Sequence, residues 1–198
     1  MSIRLTNFVF RVSLPLVKQL CLWDVAERAH KFYGSARITL RAPSPTMLVI
    51  RQHKKQTLII FPNGKLRLMG ARIRTKKAAK RAFRRVTQKL LPSSQQQQLP
   101  KVYIQTITAT HDVGRPIHLQ KLHVAIQEKF SYGASYDMPG YMNLYEAELF
   151  PALQLRIWGM AMHVNIFATG KCVITGLKHF DEACVVADDI NNYVSTCT

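Results

Sequence analysis

LIIFPNGKLRLMGA, from Leu58 to Ala71, returns as VNIFATGKCVITGL from Val164 to Leu177. Phe61, Gly64, Lys65 and Gly70 recur 106 positions later as Phe167, Gly170, Lys171 and Gly176, with no gap between them. That fixed offset marks two copies of one unit, each about half the chain, and an internal pseudo-twofold rather than an extended array. Each phrase reads as two strand-like runs about a glycine-containing hairpin turn. Such symmetry suits a roughly symmetric partner, and duplex DNA is one.

Both copies show the same order of elements outside the phrase. In the first, Phe8 to Leu16 is apolar and β-rich, and Leu20 to Phe32 has a loosely helical period. The runs ARITLRA, MLVIRQ, TLIIF and KLRLMGA then make a meander. From Arg74 to Leu91 an amphipathic helix is predicted, with Ala79, Phe83, Val86 and Leu90 on one stripe and cations around it. In the second, KVYIQTITAT is a strand and Pro116 to Gln127 a helix; ALQLRIWG, HVNIF and KCVITG form the meander, and Asp181 to Val194 the closing helix. The Tyr- and Gly-rich segment Ser131 to Asn143 is expected as a loop. PSSQQQQLP, Pro92 to Pro100, is a polar low-complexity linker where the repeat demands a boundary. The expected organisation is a basic repeat at 1–92, a Gln/Pro linker at 93–100 and a second repeat at 101–198.

A chain of 198 residues with 47% hydrophobic composition can bury one sizeable core or two small ones. It contains no run of about 18 apolar residues and no signal-type N-terminus, so a soluble, non-secreted protein is expected, without a membrane partner. The four cysteines, Cys21, Cys172, Cys184 and Cys197, have no metal-type or redox-type spacing and are expected as free structural thiols. The seven histidines are dispersed, so no metal or other cofactor is expected. The Gly-Lys pairs lack the spacing of a phosphate loop, and no nucleophile and base share a local context; no enzyme activity is expected.

The net charge of +17 is unevenly spread. Residues 1–100 hold 21 Lys/Arg and only Asp24 and Glu27, a net of +19, whereas residues 101–198 hold 7 cations and 9 acids, a net of −2. One repeat is a polycation, which favours phosphate backbones or acidic protein segments and makes binding salt-sensitive.

YEAELFPALQLR at Tyr145 to Arg156, the IF-x-x-GK-x-x-x-TG phrase after it and DVGRPIHLQKL at Asp112 to Leu122 resemble the core of the TATA-box-binding protein family. The resemblance covers nearly the whole chain and is more specific in the second repeat. It implies an α+β saddle: two repeats forming a curved ten-stranded antiparallel sheet, with four helices on the convex face. The concave face of that family enters the minor groove, where A·T pairs offer few donors, and phenylalanine pairs wedge between base steps.

Carried over residue by residue, the resemblance makes Phe150 and Phe167 the wedge pair of the second repeat, 17 residues apart. In the first repeat Phe61 matches one wedge, but Ser44 stands 17 residues before it, with Pro45 adjoining; Pro45 is the candidate replacement. A lone strand phenylalanine is ordinarily a core residue, and only the repeat context favours a wedge. The groove-lining positions are Asn7, Val9, Arg67, Met69, Thr106, Thr108, Asn165, Val173 and Thr175. Arg67, Met69, Thr108 and Asn165 depart from the family pattern and make the face more polar, which implies an altered TATA preference. Lys65, Lys171, Arg72 and Lys178 are candidate phosphate contacts beside the hairpins.

Glu146, Glu148 and Leu149 match the stirrup that engages transcription factor IIB in the family. The cations Lys76, Lys77, Lys80, Arg81, Arg84 and Arg85 match a convex helix that contacts regulators, so an acidic partner or flanking DNA is expected there. The implied function is a transcription initiation factor that bends promoter DNA and nucleates a preinitiation complex with RNA polymerase machinery. It would act in the nucleus, or at the site of viral transcription if virus-encoded. The alternative is a protein-interaction adaptor that has lost groove insertion and works through the basic helix and acidic stirrup.

Overall fold

The computed structural model describes residues 2–16, 19–34, 38–40, 46–52, 56–91, 100–131, 141–157 and 161–196. In chain order these form β1 (Ser2–Ser13), α1 (Leu22–Tyr33), β2 (Ile38–Leu40), β3 (Leu48–Gln52), β4 (Gln56–Ile60), β5 (Lys65–Met69) and α2 (Lys76–Leu90). There follow β6 (Tyr103–Asp112), α3 (Leu119–Ser131), β7 (Tyr141–Leu144), β8 (Ala152–Ile157), β9 (His163–Phe167), β10 (Lys171–Leu177) and α4 (Phe180–Thr196). The strands hydrogen-bond in the order β2-β3-β4-β5-β1-β6-β10-β9-β8-β7, and the pairings of β1 with β5, β6 with β10 and all those within the two meanders are antiparallel. The class is α+β, with the ten strands and four helices that the resemblance implies.

The phrase written twice builds the same hairpin twice. After β4 the Gly64 N–H donates to the Phe61 carbonyl at 3.0 Å, and after β9 the Gly170 N–H donates to the Phe167 carbonyl at 2.9 Å. Both glycines lie in the left-handed region, at φ 76° and 85°, which a side chain disfavours. The carbonyls of Gly64 and Gly170 then accept from Leu14 N–H and Val113 N–H, each at 3.0 Å. A Cβ on Gly170 would meet the Arg115 carbonyl oxygen. Turn geometry and close approach together explain why the glycine recurs at fixed spacing.

The chain divides into two compact units, residues 7–105 and residues 1–6 with 106–198, so β1 and β6 each begin in one unit and end in the other. In the 7–105 unit, alternate strand residues Phe10, Leu48, Ile50, Leu58, Ile60, Leu66 and Leu68 are buried with Val25 and Ala29 of α1 and Phe83 and Leu90 of α2. In the other, Ala109, Leu153, Leu155, Val164, Ile166 and Ile174 are buried with Leu122 and Ile126 of α3 and Val186, Ala187 and Ile190 of α4. Each fully buried large aliphatic or aromatic side chain contributes about 1.5–3 kcal/mol. Period-two burial sets the outward face of each unit, because neighbours along a strand point to opposite sides.

The registers repeat too. Phe10↔Leu68, Arg11↔Arg67, Val12↔Leu66 and Ser13↔Lys65 correspond to Ala109↔Ile174, Thr110↔Val173, His111↔Cys172 and Asp112↔Lys171. Likewise Leu48↔Ile60 and Ile50↔Leu58 correspond to Leu153↔Ile166 and Leu155↔Val164. Ile60 and Ile166 are 106 positions apart, but their partners Leu48 and Leu153 are 105 apart. The candidate wedge position of the 7–105 unit, Ser44 or Pro45, lies outside the described residues.

Several boundaries differ from the sequence reading for identifiable reasons. The segment expected as loop through Asn143 becomes β7 at Tyr141, because β8 supplies its ladder from Tyr141↔Ile157 to Leu144↔Gln154. Helix α3 starts at Leu119 rather than Pro116, since the Ile117 N–H is engaged by the Ala168 carbonyl at 2.8 Å. β1 starts at Ser2, well before Phe8. Cys21, expected as a structural thiol, is exposed at the start of α1 and makes no side-chain cap bond. Most of the Gln/Pro linker (92–99) and Cys197 lie outside the described residues. Among the described residues no helix is long and apolar enough to cross a membrane.

Candidate nucleic-acid interface

In the unit of 1–6 and 106–198, the outward face carries a partly exposed aromatic pair. Phe167 ends β9 at the turn, and Phe150 follows a tight turn in which the Leu149 and Phe150 N–H groups donate to the Glu146 carbonyl at 3.0 and 2.9 Å. Their ring centroids are 6.4 Å apart and tilted by 57°, an edge-to-face type of contact. Phe150 is 36% exposed and Phe167 half-buried, so neither belongs to the core beneath. Ala152, directly opposite Phe167 on β8, leaves the ring no bulky cross-strand neighbour.

The remaining predicted positions extend from this pair along the sheet. Asn165 lies opposite Val173, and Val173 opposite Thr110. Thr175 donates from its hydroxyl to the His163 carbonyl at 3.4 Å. Thr106, Thr108, Asn165, Val173 and Thr175 are all half-buried. Lys171 is exposed at the head of β10 opposite Asp112, and Lys178 is exposed just before α4. Gln154 beside Asn165, and Arg156 beside His163, share the same rows but were missed by sequence. Alternation from Ala152 through Gln154 to Arg156 is the signal that finds them.

The face of the 7–105 unit is built differently. Phe61 follows β4, its N–H donating to the Lys65 carbonyl at 3.0 Å, and the Arg67 guanidinium stands 5.2 Å from its ring centroid. The ring of Phe61 thus has a cation over its face, at the position where the other unit has the uncharged Val173. Asn7 and Met69 are half-buried, whereas Val9, expected on the groove face, is only 9% exposed. Lys65, Arg67 and Arg72 are exposed. Arg11, which the sequence reading missed, lies directly opposite Arg67. Its signal was hidden in an apolar-looking run, FVFRVS, and needed the register to appear.

Two further surfaces carry predicted contacts. Glu146, Glu148 and Leu149 are exposed on the turn before Phe150, with Leu149 79% exposed. On α2 the Thr75 hydroxyl caps the helix by accepting from the Ala78 N–H at 3.2 Å. The stripe Ala79, Phe83, Val86 and Leu90 is buried, which leaves Lys76, Lys77, Lys80, Arg81, Arg84 and Arg85 all exposed. Cys172, beneath the sheet face, has its thiol pushed up to about 12 by burial, with neighbouring Asp112 adding to the effect. It is therefore unreactive at neutral pH. Among the described residues no cluster of His, Cys, Asp or Glu has the arrangement of a metal site.

The family model described as transcription factor TFIID (or TATA-binding protein, TBP) matches residues 101–197. The TATA-box-binding protein 1 of Triticum aestivum is 34% identical over 138 residues, covering 69% of this chain and 52% of its own length. The TATA-box-binding protein of Methanococcus aeolicus is 30% identical over 141 residues, covering 71% and 68%. The matched stretch thus spans about half of the wheat protein and about two thirds of the archaeal one. Among solved structures, Methanococcus jannaschii TBP superposes with a TM-score of 0.69 over 100% of both chains at 24% identity, which establishes a shared fold.

Proposed function

This chain belongs to the TATA-box-binding protein family, and we propose that it acts as a transcription initiation factor that binds A·T-rich duplex DNA from the minor groove and bends it. The observation that carries the reading is the Phe150–Phe167 pair, two rings 6.4 Å apart on an outward sheet face within the family-matched residues. Exposed aromatic side chains on a sheet cost solvation and contribute little to a core. Inserted between base steps they unstack and kink the duplex, and the half-buried Asn165, Val173 and Thr175 offer the apolar and weakly polar floor that the minor groove requires.

Charge supports the same partner. The 7–105 unit contains many cations and only Asp24 and Glu27 as acids, so it is suited to phosphate neutralisation, with Lys65 and Arg72 beside its hairpin. The exposed Glu146, Glu148 and Leu149 fit a basic, apolar-tipped protein such as a transcription factor IIB-like partner. The cationic face of α2 fits an acidic segment or flanking DNA. Through these surfaces the protein would nucleate a preinitiation complex with RNA polymerase machinery, in the nucleus or wherever its template is transcribed.

The test is selection of bound duplexes from a random pool, followed by end-to-end fluorescence transfer on the enriched sites. Enriched A·T-rich sequences that bend on binding are expected. A pool that shows no enrichment and no bending would sink the reading.

A further inference from the structure

Arg11 and Arg67 face one another across β1 and β5 as direct register partners, both exposed. Like charges directly opposite in an antiparallel pair are destabilising, so folding alone does not favour this arrangement. No acid on the face offsets it. The 7–105 unit contains only Asp24 and Glu27, both on α1, and Glu27 is already paired with Lys31 at 3.8 Å. Each guanidinium is instead backed by an aromatic ring: Arg67 lies 5.2 Å from the Phe61 centroid and Arg11 5.7 Å from that of Tyr103. Lys101 adds a third cation 5.8 Å from the Tyr103 ring. Ring faces hold cations in place without neutralising them.

The equivalent positions of the other unit show that the fold does not need the arginines. There the same register pair is Thr110 and Val173, both uncharged. We propose that Arg11 and Arg67 form a paired guanidinium grip for duplex DNA, through which the 7–105 unit holds the negatively charged groove. This rests on the DNA-binding reading above and assigns to this face a different means of contact. Guanidinium groups are drawn to the negative potential of a narrow minor groove and to its bordering phosphates, whereas wedges require the groove to be opened. The pair therefore gives this face an electrostatic contact that the uncharged pair of its counterpart lacks.

The experiment replaces the pair with the residues its counterpart uses, Arg11→Thr with Arg67→Val, in the full chain. Affinity for an A·T-rich duplex is measured from 50 to 200 mM salt, and end-to-end fluorescence transfer reports the bend. Losing two charge contacts should make binding about tenfold less sensitive to salt over that range, with the bend retained. The Arg11→Lys, Arg67→Lys variant should keep the wild-type salt slope. Relief of the like-charge pair should leave the melting temperature at or above wild type, an outcome that a merely structural role would reverse. An unchanged salt slope in the Thr/Val variant would overturn the grip. With Phe150→Ala, Phe167→Ala run alongside, loss of bending there would show that the parent reading stands even so. A wild-type protein that neither binds nor bends duplex DNA would instead overturn both.

Discussion

At equivalent register the two units present opposite chemistries. Around its hairpin one unit pairs Phe150 with Phe167, places Thr110 opposite Val173 and sets Lys171 opposite Asp112. The other pairs Phe61 with the guanidinium of Arg67, places Arg11 opposite Arg67 and sets Lys65 opposite Ser13. The glycine turns, their staples and the register beside them are shared, so around the hairpins the difference resides in side chains. Duplication conserves what the turn and the core demand, and it leaves the outward half of every strand free to diverge. One unit presents paired rings, the other paired guanidinium groups.

The sharpest structural contrast is expected at the hairpin glycines. Gly64→Ala places a side chain at positive φ against the Leu16 side chain, which can shift, and 3.1 Å from the Leu14 carbonyl oxygen, at a cost of about 1–2 kcal/mol. Gly170→Ala adds a collision with the Arg115 backbone carbonyl, which cannot swing away, and should cost about 3 kcal/mol or more. Urea midpoints of the two variants should therefore differ clearly, and equal midpoints would show that the two turns are not packed as described. A smaller effect follows from transplanting the charge pair. Thr110→Arg with Val173→Arg should lower stability by about 0.2–1 kcal/mol through like-charge repulsion while steepening the salt dependence of DNA binding.

At neutral pH the smallest effect concerns Cys172. Its thiol is held protonated to about 12 against an ordinary value of 9.0, so the folded state binds its proton more tightly than the unfolded chain. The corresponding stability is present in full below pH 9 and is lost as pH rises from 9 toward 12. At pH 8 a thiol reagent should label exposed Cys21 readily and leave Cys172 untouched until the protein unfolds. Rapid labelling of Cys172 in the folded protein would contradict its burial.

Much of this fold was legible because particular residues have few alternatives. Gly64 and Gly170 need positive φ, and Ala79, Phe83, Val86 and Leu90 fall on one helical stripe; both patterns are local. β7 was not legible, since Tyr141–Leu144 becomes a strand only by pairing with β8. Nor does one offset describe the whole meander: the second unit is offset by 105 at β8 and by 106 at β9, which only the register reveals. At the candidate interface Phe150, Phe167 and Arg67 could be named from sequence, but Arg11 could not. Its role depends on what lies across the sheet.

Division of labour between the units is tested most directly by end-to-end fluorescence transfer on an A·T-rich duplex bound by Phe150→Ala, Phe167→Ala at low salt. Binding should persist through the cations of the 7–105 unit while the bend is lost. A bend of unchanged size in that variant would contradict the account.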